Sequence, residues 1–109
     1  MGVTRNDLFS EEQNELAQMA KVLGHPARIA ILQYLLKAQA CINGDLVKEL
    51  GLAQATISQH LRELKSIGII QGTIEGTSVC YCINAENWNK ITMLFSELFA
   101  SYSNIDNCC

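Results

Sequence analysis

At 109 residues, with 49% apolar, 17% charged and 6% aromatic side chains, the chain fits one compact domain over residues 1–109. Disorder would need less hydrophobicity and more net charge. The formal charge of −3 argues against a strongly basic nucleic-acid binder, and no stretch approaches the ~18 apolar residues of a transmembrane helix, so no membrane-spanning helix is expected.

Ser10-Glu11-Glu12-Gln13 fits a capping box, in which the serine hydroxyl and the glutamine amide satisfy each other's backbone N–H groups. A first helix follows, with Leu16, Met19, Ala20 and Leu23 on one stripe and Gly24 at its end. Pro26 suits the first turn of a second helix, because its missing N–H costs little there. Ile29, Ile31, Leu32, Leu35 and Leu36 nearly encircle that helix and mark it as the buried centre. Asn43 is placed to cap a short third helix carrying Leu46, Val47 and Leu50, closed by Gly51. From Gln54 to Ser66 a fourth helix turns Ile57, Leu61 and Leu64 inward and leaves Ala55, Thr56, Ser58, Gln59 and Arg62 outside or on its flanks.

After Gly68 the period changes to two. Ile70, Gly72 and Ile74 share one face, Glu75-Gly76-Thr77-Ser78 make a turn, and Val79, Tyr81 and Ile83 return, which reads as a β-hairpin. A last helix begins near Glu86 with Asn84 as its cap, and Ile91, Leu94, Phe95, Leu98, Phe99 and Tyr102 form an unbroken stripe. Residues 1–9 and 103–109 read as mobile tails. The fold class is therefore mostly α with a small β-hairpin, about five helices. The apolar stripes of the first and last helices exceed what so small a domain covers alone, which predicts a homodimer joined through them.

Two short helices joined by Gly51-Leu52-Ala53, with an apolar inner face and a small polar outer one, are what a helix-turn-helix needs, the alternative being a solvated helix pair of any helical domain. Short polar side chains let a backbone approach the major groove while amides and hydroxyls meet base edges and phosphates. The hairpin then takes the place of a wing. The positive charge also lies here: residues 1–24 and 85–109 each carry a net −2, which leaves +1 for the middle.

Leu23-Gly24-His25-Pro26-Ala27-Arg28-Ile29-Ala30-Ile31-Leu32, Ala53-Gln54-Ala55-Thr56-Ile57-Ser58-Gln59-His60-Leu61 and Gly76-Thr77-Ser78-Val79-Cys80-Tyr81 resemble ArsR-type winged-helix repressors over residues 14–100. That resemblance implies a winged helix-turn-helix homodimer in the cytoplasm that represses an inverted-repeat operator on double-stranded DNA and releases it when an inducer binds. It also implies that Gln54, Thr56, Ser58 and Gln59 face the major groove, with His60 and Arg62 nearer phosphates. The alternative for His60, on the flank of the inner stripe, is to satisfy a neighbouring carbonyl. The chain departs from the family in having Ala55 where a proline is frequent and Glu75-Gly76-Thr77-Ser78 where the wing tip is usually basic.

Five cysteines are an odd number and too sparse for a disulfide scaffold, so a reduced cytoplasm is the simpler setting. Thiolates select soft metals and metalloids. Cys80 and Cys82 share one face of a strand, Cys41 lies between the second and third helices, and Cys108 and Cys109 end the chain. The family's arsenic pattern, a Cys-x-Cys pair entering the third helix, keeps one cysteine here, Cys41. Its zinc pattern on the last helix is missing from Asn89-Lys90-Ile91-Thr92-Met93-Leu94. Cys41, Cys108 and Cys109 form the preferred set for trivalent arsenic, antimony or another thiophilic ion, with Cys80 and Cys82 as the alternative pair. No cofactor is required. A thiol-based redox or sulfur-species sensor is a second reading, and a protein-interaction adaptor without sequence-specific DNA binding is a third. An enzyme is not expected, since His25 and His60, at a helix start and on the reading helix, form no nucleophile–base pair.

Overall fold

The structure, a computed structural model, describes residues 6–38, 46–73 and 80–102. After a 3-10 turn at Asn6–Leu8 come helices α1 (Glu11–Leu23), α2 (Pro26–Ala38), α3 (Leu46–Leu50) and α4 (Gln54–Ser66), strands β1 (Ile70–Thr73) and β2 (Cys80–Ile83), and helix α5 (Ala85–Ala100). The architecture is a winged helix-turn-helix of five helices and a two-stranded antiparallel hairpin. The Asn43 cap, the hairpin turn at Glu75–Ser78, Cys41, Cys108 and Cys109 lie outside the described residues.

Each helix start has a local cause. Ser10 Oγ accepts from Gln13 N at 3.1 Å while Gln13 Oε1 accepts from Ser10 N at 3.0 Å, the reciprocal pair expected of the capping box. A cap of this kind stabilises a helix by about 1 kcal/mol. His25 Nδ1 accepts the Ala27 N–H at 3.0 Å, so Pro26 enters α2 with its neighbour's donor satisfied. Asn84 Oδ1 accepts from Asn87 N at 3.2 Å and starts α5. Gly51, at φ +69°, closes α3 in the left-handed conformation that lets the chain reverse into α4.

One hydrophobic cluster joins the elements. Met19 and Val22 enter it from α1, Ile31, Leu32 and Leu35 from α2, Leu46 from α3, and Ile57, Leu61 and Leu64 from α4, with Ile70, Tyr81 and Ile91 beyond. The buried side of α1 thus passes through Val22, whereas Ala20 is exposed. Nor is α2 buried all round, because Ile29 and Leu36 are each more than 40% exposed.

In the hairpin Ile70 pairs with Ile83 and Gly72 with Tyr81, and of these Ile70 and Tyr81 are buried in the core. Thr73 and Gln71 oppose Cys80 and Cys82 on the other side. Gly72 has φ +123°, and a Cβ there would sit 2.1 Å from the Cys80 carbonyl oxygen, so only glycine lets the strands close. Lys65 Nζ donates to Gly72 O at 2.6 Å and ties the end of α4 to the hairpin.

Candidate nucleic-acid interface

The outer face of α4 is set by what its inner face buries. Ile57, Leu61 and Leu64 are at most 1% exposed, and the helix packs on α1, α2, α3 and β1. The opposite side therefore has one orientation. Gln54, Ala55, Thr56, Gln59 and Arg62 lie exposed on it, and Ser58 is half-buried at its flank.

These polar groups engage one another along the helix. Gln54 Nε2 donates to Ser58 Oγ at 3.1 Å, Gln59 Nε2 to Glu63 Oε2 at 3.3 Å, and Arg62 to Gln59 Oε1 at 3.5 Å. Exposed bonds of this sort contribute little net free energy, because water offers equivalent partners. Exchanging them for base edges therefore costs little. Ala53 gives the start of α4 no side-chain cap. Its first N–H groups therefore have no partner from an N-cap side chain.

His60 departs from the phosphate-side position that the resemblance implied. Its imidazole is 8% exposed, accepts from Arg28 Nε through Nδ1 at 3.1 Å, and lies with its ring centre 4.4 Å from that of His25. The reason is helical spacing: position 60 stands three residues after Ile57 and four before Leu64, on the inner stripe. That spacing was the available signal. Burial holds the His60 pKa below its ordinary 6.5, and the charges of His25 and Arg28 push it the same way. Arg28, absent from the sequence-based site, donates a second bond to Val22 O at 2.9 Å.

Of the cysteines, Cys80 is exposed and Cys82 half-buried on the outer side of the hairpin, where Gln71 Nε2 approaches Cys82 Sγ at 3.9 Å. Among the described residues no three His, Cys, Asp or Glu side chains converge as a metal site. No described helix is long and apolar enough to cross a membrane.

Comparisons with known proteins bear on the same segment. The model of the arsR family of bacterial regulatory proteins matches residues 25–71, from the start of α2 into β1. The chain is 34% identical over 88 residues to an uncharacterised HTH-type transcriptional regulator of Methanocaldococcus jannaschii, covering 81% of this chain and 99% of that one. It is 38% identical over 64 residues to the HTH-type transcriptional repressor SmtB of Mycobacterium tuberculosis, covering 59% of this chain and 47% of the repressor. It thus spans nearly all of the first relative and about half of the second. The crystal structure of the transcriptional repressor BigR from Xylella fastidiosa superposes with a TM-score of 0.59 at 26% identity, over 94% of this chain and 100% of that one.

Proposed function

Because the chain belongs to the ArsR family of bacterial regulatory proteins and is a DNA-binding transcriptional regulator rather than an enzyme, we propose that it represses an inverted-repeat operator as a homodimer. In this reading residues 1–109 act as one unit in the cytoplasm, and a thiophilic inducer bound by cysteine thiolates releases the DNA. The observation that carries the DNA-reading role is the outer face of α4: Gln54, Thr56, Ser58, Gln59 and Arg62 form a polar strip held by a fully buried inner side.

Selection from a random duplex library, followed by gel shift, tests that role. A glutamine can pair bidentately with adenine, and a good pair of this kind contributes about 1–3 kcal/mol of discrimination. Gln59→Ala should therefore lower the preference for the selected duplex over random DNA by about tenfold while leaving affinity for random DNA nearly unchanged. Equal selectivity in the variant would remove α4 from the groove. If the wild type selects no sequence at all, the adaptor reading takes its place.

The dimer rests on apolar surface left open by this chain. Met93, Leu98 and Phe99 on α5 and Tyr102 just beyond its end are 54–76% exposed, and Leu8 and Phe9 ahead of α1 are similarly bare. A groove of ≈ 340 Å³ between α2 and α5, lined by Ile29, Trp88, Phe95 and Phe99, continues the same surface. Monomers rarely leave so much contiguous apolar area in water. The stripe of α1 itself is largely internal, so on its side the contact falls to Leu8 and Phe9. Sedimentation velocity at micromolar concentration should find a dimer for the wild type and a monomer for Phe99→Glu, with operator affinity lost alongside. A monomeric wild type would refute the symmetric interface, and with it half-sites about one DNA turn apart.

A further inference from the structure

The Arg28 side chain lies at the junction of three helices. Its NH1 donates to the Val22 carbonyl in the last turn of α1, its Nε donates to His60 Nδ1 on α4, and its own backbone belongs to α2. Val22 is 1% exposed and His60 8%. His60 is also packed against the His25 ring, whose Nδ1 is already engaged with Ala27 N. A chain of bonds therefore runs from the end of α1, through the start of α2, to the middle of the reading helix.

We propose that Arg28 and His60 are positioning residues for DNA recognition: their hydrogen bond, made only with His60 neutral, holds α4 in the orientation that reads DNA. The inference rests on the DNA-reading function above and adds a device within it. The chemistry leaves His60 one protonation state in which the bond exists. An arginine offers only donors, so Nδ1 must present a lone pair and the ring proton must reside on Nε2. A second proton would go to Nδ1, remove the acceptor, and set an imidazolium against a guanidinium.

The charged and titratable groups acting on His60 from α2 and the residue before it are Arg28 and His25, and both oppose its protonation. From α1 the Val22 carbonyl meets the same guanidinium. On α4, Glu63 is engaged by Gln59, and Arg62 is exposed. Folding lowers the pKa of His60, so its contribution is complete above about 6.5 and is lost as pH falls through the lower folded value. Acid should then weaken DNA binding. Ordinary electrostatics predicts the opposite, since extra positive charge on a protein favours a polyanion.

The test uses the duplex selected by the wild type from a random library, with affinity measured between pH 8 and pH 5 and circular dichroism recorded at each pH. Wild-type affinity should fall at the acid end while the helical signal persists. His60→Asn places a non-titrating amide oxygen near the Nδ1 position and should retain most of the affinity at pH 8 without the acid loss. His60→Leu and Arg28→Met break the bond and should bind about tenfold more weakly at every pH, given the usual worth of a hydrogen bond to a charged group. If His60→Asn shows the full wild-type acid loss, or a folded His60→Leu binds as the wild type does, the positioning role is overturned. Should the two bond-breaking variants fail to fold, the pH profile of His60→Asn against wild type decides the matter. A wild type that selects no duplex overturns the DNA-reading function and the device with it, whereas selection with indifferent variants overturns the device alone.

Discussion

Leu64→Ala should lower the unfolding free energy by about 2–5 kcal/mol, the range for truncating a fully buried leucine. Leu64 is 0% exposed and sits on the side of α4 that faces the hydrophobic cluster. Removal of its isobutyl group forfeits the transfer free energy of the lost carbons. It also opens a cavity that the neighbouring Leu61 and Ile57, themselves immobilised by packing, close only in part. A domain of this size is typically stable by about 5–15 kcal/mol, so one such change removes a large fraction of the total. Urea titration should show the midpoint moving sharply down with little change in slope. Leu36→Ala, at a position 44% exposed, should move it far less. Equal shifts for the two variants would mean that α4 is not anchored by its inner face, and its outer face would then have no fixed orientation from which to read bases.

Conversion of both tail cysteines to serine should abolish inducer-driven release while leaving DNA binding intact. The expectation follows from the proposed site: a trivalent metalloid can be held by three thiolates, and the sequence offers Cys41 and the vicinal pair Cys108 and Cys109. An inducer that switches a regulator almost completely needs roughly 10⁴-fold preference for the released state. In the proposed reading that preference would come from three simultaneous metalloid–sulfur bonds, and two serines would eliminate it. Release from the selected duplex should be measured with arsenite, antimonite, zinc, cadmium, copper(I), peroxide and polysulfide. Cys80→Ser with Cys82→Ser should leave arsenite release unchanged. The reverse pattern would move the site to the hairpin, where both thiols share the outer side. Arsenite release surviving in a cysteine-free variant would end the thiolate reading, and release by peroxide or polysulfide alone would replace it with redox sensing.

How much of this was legible in the chain depended on the range of the interaction involved. The limits of α4 and its inner residues followed from spacings of three and four, and Ser10, Gly51 and Asn84 announced helix ends by bonds within a few residues of themselves. The two strands of the hairpin followed from alternation around Gly72 and Tyr81, and the pairing of Gly72 with Tyr81 came from the structure. The spacing offered an inner place for His60 but not its partner, because Arg28 lies 32 residues away in sequence. Periodicity gives the direction in which a side chain points and says nothing of what waits there. For the same reason the all-round apolar surface of α2 overstated its burial: exposure of Ile29 and Leu36 depends on which surface covers them, a property that their own hydrophobicity does not encode.

The bond from Lys65 Nζ to the Gly72 carbonyl has a mechanical consequence. It links β1 to the last turn of α4 across the three-residue connection 67–69, so a tilt of the helix is passed on to the strand. A strand of four residues is about 13 Å long. A tilt of α4 by about ten degrees would therefore carry the far end of β1 through about 2 Å, several times the tolerance of a hydrogen bond. For a duplex met by α4 and the hairpin together, loss of fit at the two would then coincide, and disengagement would be one concerted step in place of two independent ones.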